Sequence, residues 1–342
     1  MNRYLTSWRI PSHWPQIQAL DMHTAGEPLR IITKGLPEPE GTSMIDKRLY
    51  CLSHYEKWRK AVMFEPRGHA DMYGALLTAP QRADSAFGVL FMHNEGYSTM
   101  CGHAVIALTE LVRVQNPEVV GEQQLKMDTP AGQICAFYSA NDKQVGFYNV
   151  PSFACQQQVP VTLAGGHTLY CDIAFGGAYY AYVDADQLDL ALTIQNSEEI
   201  ICLGRKIKHA LTDRIELEHP EDASLSFLYG VVFYSDSQVS GSHCHSRHVC
   251  IFADGSLDRS PTGTGVSGRA ALLAARGELA RDEVIHIEGI LACGFDVSID
   301  ALCQYDGQDA VRVKVTGEAY VTAEHTFWLD PEDPIQQGFI LR

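Results

Sequence analysis

Met100-Cys101-Gly102-His103 and Asp258-Arg259-Ser260-Pro261-Thr262-Gly263-Thr264-Gly265 lie far apart in the chain, and each opens an apolar run with helical spacing. Each sets a small side chain carrying a thiol or a hydroxyl just before a glycine. At such a place the unpaired backbone N–H groups of a helix start gather. The stretches read as two halves of one active site, and they differ at one position: Cys101 stands in the first, Thr262 in the second. A thiol acidified at a helix start, into the range of roughly 3.5–7.5, serves as a base near neutral pH. A threonine hydroxyl does not do so unaided.

Around these stretches the chain is built mainly of short β-like runs. They are Val62–Glu65, Phe87–His93, Gln123–Met127, Gly146–Val150, Leu169–Ala174, Tyr179–Val183, Leu228–Tyr234, Val249–Ala253, Val284–Ile287, Phe295–Ile299 and Val311–Thr316. They are rich in Val, Ile, Phe and Tyr, with turn residues such as Asn141-Asp142, Pro130-Ala131-Gly132 and Asp306-Gly307 between them. Helical spacing marks Gly102–Val112, Ser197–Leu211 and Gly263–Arg276, the last ended by Gly277. The first and third lack a strongly polar face, so both are expected to be buried. Many strands around a few buried helices predict an α+β protein of two lobes, one per helix. Pro, Gln, Ala and Gly interrupt the strand rhythm at Pro151–Gly166. The expected division is therefore 1–165 for the lobe carrying Cys101, open to completion by the C-terminal segment 325–342, and 166–324 for the lobe carrying Asp258 and Thr262.

Bulk composition narrows the function classes. The 342 residues are 46% hydrophobic, ordinary for a globular chain long enough for two domains. A net charge of −16 argues against a nucleic-acid partner, which needs a concentrated basic face. No stretch reaches the ~18 uninterrupted apolar residues of a membrane span. The start, with Arg3 and Arg9, lacks the apolar core of a signal peptide. Ten scattered cysteines without paired spacing read as free thiols in a reducing cytoplasm. The expected partner is a small molecule, with a homodimer left open.

Each candidate site has a plainer reading. Cys101 is either a reactive thiol or a small buried residue filling a gap, and its neighbours Tyr97, Ser98, Thr99 and His103 favour the first. The loop at Thr262 offers backbone N–H donors suited to a carboxylate, or is simply a helix cap. Asp258 either caps that turn or faces the ammonium of a bound amino acid. His243 to Cys250 holds five potential zinc ligands in eight residues. Its spacing fits no familiar zinc pattern, so an exposed loop is expected there and no metal. Asp21–Pro28 and Glu65–Met72 either line a cleft or form polar turns tied by ion pairs.

Taken together, Asp21-Met22-His23-Thr24-Ala25-Gly26-Glu27-Pro28, Glu65-Pro66-Arg67-Gly68-His69, Met100–His103, Phe175-Gly176-Gly177 with Tyr180-Ala181, and Asp258–Gly265 closely resemble the proline racemase family. The matches keep their order from about residue 20 to beyond 277. One departure is that the family usually has Gly-Gly where Ala25-Gly26 stands. The resemblance implies a fold like diaminopimelate epimerase: two pseudo-symmetric lobes, each wrapping strands around a central helix, with substrate between them. It also implies that no metal, pyridoxal phosphate or nucleotide is required.

In racemases and epimerases of the family, two cysteines face the substrate α-carbon from opposite sides. Here Cys101 meets Thr262, which resembles the branch that dehydrates trans-3-hydroxy-L-proline to 1-pyrroline-2-carboxylate. The chemistry agrees, because inversion needs an acid and a base on opposite faces, whereas removal of water needs only one base at the α-carbon. By resemblance Cys101 is the base and Thr262 its counterpart across the ring. Asp258 contacts the ring nitrogen, and Gly102, His103, Gly263 and Thr264 the carboxylate. A proline or 4-hydroxyproline racemase or epimerase is the nearest alternative. A non-catalytic amino-acid-binding protein is the alternative of another class.

Overall fold

The computed structural model describes residues 9–116, 122–139, 145–163, 165–220 and 223–341. The first half of the chain supplies β1 (Gln16–Thr24), β2 (Glu27–Lys34), β3 (Tyr73–Thr78), β4 (Phe87–His93), the two-residue β5 (Tyr97–Ser98), β6 (Glu122–Thr129), β7 (Gly132–Ser139) and β8 (Val145–Tyr148). The second supplies β9 (Phe153–Thr162), β10 (Thr168–Phe175), β11 (Tyr179–Asp184), β12 (Leu228–Ser235), β13 (Cys244–Phe252), β14 (Ser256–Asp258), β15 (Val284–Glu288), β16 (Gly294–Tyr305) and β17 (Gln308–Gly317). A last strand, β18 (Ala319–Trp328), returns to pair with β1. Five α-helices complete the described residues: α1 (Met44–His54), α2 (Glu56–Met63), α3 (Gly102–Gln115), α4 (Ser197–Thr212) and α5 (Gly263–Ala275).

Pairing order exposes an internal symmetry. One ladder runs β18-β1-β2-β3-β4-β6-β7-β8, the other β9-β10-β11-β12-β13-β15-β16-β17. In both, the senses of successive pairs are antiparallel, antiparallel, parallel, antiparallel, parallel, antiparallel, antiparallel. Short β5 hangs on β4 as short β14 hangs on β13, and a buried helix follows each. The ladders join through β8 and β17. On strand pairing we propose exchange points between β8 and β9 and between β17 and β18. The second lies a few residues before the expected limit at 324, but the first precedes the expected limit at 165 by more than ten residues and gives β9 to the second lobe.

Each central helix is inside its lobe because its sequence is apolar nearly all round. Every residue from Gly102 to Glu110 of α3 is buried, as is every residue from Gly263 to Leu273 of α5. Helix α3 packs on β1, β7, β8 and β18, and α5 on β9, β10, β16 and β17. Helix α4 packs outside the second lobe against β12 and β13, over the core of Ile200, Ile207 and Leu211.

All but one of the expected runs fall on strands. The exception, Val62–Glu65, begins in the last turn of α2, where Ala61, Val62 and Met63 face a core cluster, and leaves the helix at Phe64. A short apolar run has no period that separates helix from strand. Helices α1 and α2 lack an apolar signature, although Ser43 and Asp46 form a reciprocal capping box. Pro151–Gly166 is not a bare linker: β9 occupies most of it. Nor is His243–Cys250 an exposed loop. Strand β13 covers all but its first residue and buries Cys244, Ser246, His248 and Cys250. The Asn141-Asp142 turn lies outside the described residues. Among the described residues no helix is long and apolar enough to cross a membrane.

The departure at Ala25 has a backbone reason. Ala25 and Gly26 form the two-residue turn from β1 to β2, with φ of 50° and 90°. A hairpin turn of this hand needs positive φ at both residues, which glycine adopts freely. Alanine there carries a cost of roughly 1–2 kcal/mol.

Candidate active site

Cys101 is the N-cap residue of α3, in extended backbone geometry, and is buried. Its Sγ lies 3.2 Å from Nδ1 of His103. The Pro28 backbone also bonds the His103 ring. Burial pulls the His103 pKa down to about 3, so the imidazole is neutral. Thr24 Oγ1 donates to the His103 carbonyl at 2.9 Å, fastening the helix start to the end of β1. Burial also pushes the Cys101 thiol well above its usual range, and the charges of Asp258 and Glu27 add to the rise. The Ala104 N–H in the first turn works the other way. The acidified thiol expected at a helix start is thus corrected: desolvation outweighs the N–H groups here.

Thr262 holds the matching N-cap position of α5, but with φ of 67°. A β-branched residue at positive φ is an outlier costing about 1–3 kcal/mol. Hydrogen bonds hold it there. Its N–H donates to Ser260 Oγ at 3.1 Å and its Oγ1 donates to Asp258 Oδ2 at 2.7 Å. Asp258 Oδ1 accepts the Ser260 N–H at 2.8 Å. Burial raises the Asp258 pKa, while the hydrogen bonds from Thr262 and Ser260 pull it back. Further along α5, Thr264 Oγ1 pairs with the Tyr180 hydroxyl at 2.7 Å.

The two helices meet start to start. A Cβ on Gly102 would lie 2.8 Å from the Gly263 Cα, and the reverse holds for Gly263. Only glycine lets these backbones approach so closely. The positive ends of both helix dipoles therefore converge on one cavity, a setting that favours an anionic group. Cys101, Gly102, His103, Asp258, Thr262, Gly263 and Thr264 all line this cavity, which spans ≈ 330 Å³ counting its open mouth. Residues from both lobes thus share one chamber.

The family model described as proline racemase matches residues 19–340. The chain belongs to the proline racemase family. A trans-3-hydroxy-L-proline dehydratase of Colwellia psychrerythraea is 50% identical over 333 residues, covering 95% of this chain and 93% of that protein. One from Bacillus thuringiensis is 42% identical, with 94% and 97% covered. Among solved structures, a hydroxyproline epimerase of Agrobacterium vitis with bound trans-4-OH-L-proline superposes with a TM-score of 0.86 at 25% identity, covering 96% of each chain. The epimerase-like fold of two lobes around central helices is therefore that of this chain.

In this proline racemase family member the remaining motifs divide. Arg67 is structural: Nε donates to the Ala61 carbonyl at 2.7 Å, and another guanidinium nitrogen donates to the Gln336 carbonyl. Asp21 is bound in a two-point pair by Arg30, at 2.9 and 2.7 Å. Glu27 of the same motif is fully buried. Among the described residues no group of three or more His, Cys, Asp or Glu side chains is gathered as metal ligands would be. Sequence reasoning missed the aromatic wall of the cavity, Tyr73, Tyr229 and Phe252. Tyr73 packs edge-on against His103, with ring centroids 4.8 Å apart, and Tyr229 stacks on Phe252. In strands these rings read as ordinary core; only their convergence on Cys101 sets them apart.

Proposed function

We propose that this protein dehydrates trans-3-hydroxy-L-proline to 1-pyrroline-2-carboxylate. One observation carries the reading. Lining the same cavity as Cys101 is a hydroxyl whose hydrogen is already given to Asp258, at 2.7 Å. Such a group is a poor second acid or base, so one-sided chemistry is favoured over inversion. The dehydratase names of the relatives quoted above support it.

In this mechanism the substrate carboxylate lies against the N–H groups of Gly102, His103, Gly263 and Thr264. There they stabilise the enolate-like charge that develops as the α-proton leaves. Asp258 receives the ring ammonium. The positive charge of the ammonium works against the desolvation and the nearby carboxylates that raise the Cys101 thiol. His103 Nδ1 then accepts the thiol proton and Cys101 Sγ takes the α-hydrogen. In trans-3-hydroxy-L-proline the α-hydrogen and the 3-hydroxyl share a ring face, so the elimination is syn. The His103 imidazolium, a strong acid in this buried place, protonates the departing hydroxyl. Water leaves, Cys101 is again a thiol and His103 again neutral, and the enamine tautomerises to the cyclic imine.

Purified protein incubated with a panel of proline and hydroxyproline isomers tests the reading, with products identified by mass and NMR. Loss of water from trans-3-hydroxy-L-proline alone is expected. Inversion of that substrate, or of proline or 4-hydroxyproline, without loss of water would overturn it. We further propose a cytoplasmic enzyme, since all ten cysteines are free. Its partners are taken to be this small substrate and, for sedimentation analysis to decide, a second copy of the chain.

A further inference from the structure

Glu27 stands at the start of β2, wholly buried, and reaches across to the other lobe. Its Oε2 accepts the Arg259 N–H at 2.8 Å and lies 3.4 Å from Arg259 Nη1. The same guanidinium donates to the Asp71 carbonyl at 3.3 Å and sits 3.9 Å from the Asp71 carboxylate. Glu27 Oε1 is buried with no hydrogen-bond partner among the described residues. Arg259 directly follows Asp258. The loop from Asp258 to Thr262 is therefore held on one side by its own bonds and on the other by the first lobe.

The proposed chemistry needs Cys101 from one lobe and Asp258 from the other at a set spacing around one small ring. The Gly102–Gly263 contact sets how near the helices come, but not how the Asp258 loop is turned. We propose that Glu27 is a positioning residue that, through the Arg259 backbone, docks the Asp258–Thr262 loop of the second lobe against Cys101 of the first. This rests on the reading of Asp258 as the partner of the substrate amine. Asp258, Arg259, Cys101 and Cys250 are the titratable groups acting on Glu27 or acted on by it. Burial and the Asp258 charge raise the Glu27 carboxyl well above its usual range, against the Arg259 charge and hydrogen bonds, which lower it.

The test uses whole enzyme and two ligands. L-Proline presents an ammonium to Asp258; cyclopentanecarboxylate has the same size and no amine. Glu27→Gln keeps an oxygen for the Arg259 N–H and should hold kcat/KM within about threefold, with the pH profile unchanged. Glu27→Ala should lose about 10- to 100-fold in kcat/KM, the cost of leaving a buried N–H donor without an acceptor. It should weaken L-proline by about tenfold or more while leaving cyclopentanecarboxylate within about twofold. Glu27→Leu fills the same volume without an acceptor and carries the test should the alanine variant not fold. Equal weakening of both ligands, unchanged L-proline affinity in the acceptor-free variants, or a Gln variant as impaired as Ala overturns the proposal. A wild type that binds L-proline yet releases no product from trans-3-hydroxy-L-proline defeats the dehydratase reading alone.

Discussion

The starts of α3 and α5 occupy the same place in two lobes of identical strand order, and they have diverged residue by residue. Cys101-Gly102-His103 faces Thr262-Gly263-Thr264. The glycines are shared because the backbones touch there. The capping thiol sits in relaxed extended backbone beside a neutral imidazole, whereas the capping hydroxyl sits at positive φ and is tied to Asp258. His103 faces the thiol from one side, while its counterpart Thr264 is tied to Tyr180. In the proposed mechanism one start moves a proton, while the hydroxyl of the other holds the Asp258 carboxylate. A symmetric scaffold has become a one-sided tool through the residues flanking each shared glycine.

Breaking that division of labour should hurt most on the Cys101 side. Cys101→Ser replaces the thiol with a far weaker acid and should lower kcat for trans-3-hydroxy-L-proline by at least ~10²–10⁴-fold, the usual worth of a general base. Near-normal turnover in a folded variant would move the base elsewhere. Asp258→Asn removes the charge opposite the amine and should raise KM by about 10- to 100-fold, as expected for a charged hydrogen bond of ~1.5–3 kcal/mol. If kcat falls instead with KM unchanged, Asp258 acts on the transition state and not on the amine.

A gentler probe reads the imidazole that only one start possesses. The His103 pKa is about 3 folded and 6.5 in the unfolded reference, so the unfolded chain binds the extra proton between those values. Its contribution to stability is complete above pH 6.5 and is lost as pH falls toward 3. The slope is up to about 1.4 kcal/mol per pH unit. Denaturant unfolding of His103→Asn should show a flatter decline in that window than wild type, and parallel curves would mean that the ring is not buried neutral. Thr262→Cys should do least to dehydration, within about tenfold, since thiol and hydroxyl-plus-methyl are of similar size and the strain of a β-branched residue is relieved. It should also add a trace of solvent-deuterium exchange with inversion on proline or 4-hydroxyproline. Complete loss of dehydration would make Thr262 a direct participant in the proton transfers.

Both central helices were legible because an all-round apolar run after a polar, glycine-containing cap has few other places to go. The strands with β-branched and aromatic runs were legible for the same reason. Helices α1 and α2 were not, since their surfaces carry Lys, Arg and Glu and they bury only a narrow face. Strand β13 was misread because His and Cys suggest an exposed or metal-bound loop, when three of these residues, Cys244, His248 and Cys250, are buried. Within the site, the identity of each lining residue on the two helix starts could be named from sequence. Their states could not: the raised Cys101 thiol and the twisted Thr262 backbone depend on what the other lobe and the local loop place around them.

The last strand carries a consequence for synthesis. Strand β18 lies beside β1, with Gln16 opposite Trp328, whereas every strand of the second ladder falls between Phe153 and Gly317. On a ribosome, which delivers the N-terminus first, the later lobe has all its strands in hand before the earlier one does. The lobe bearing Cys101 must wait, with β1 paired on its β2 side alone, until Ala319–Trp328 has been made. The lobe begun first is thus the lobe completed last.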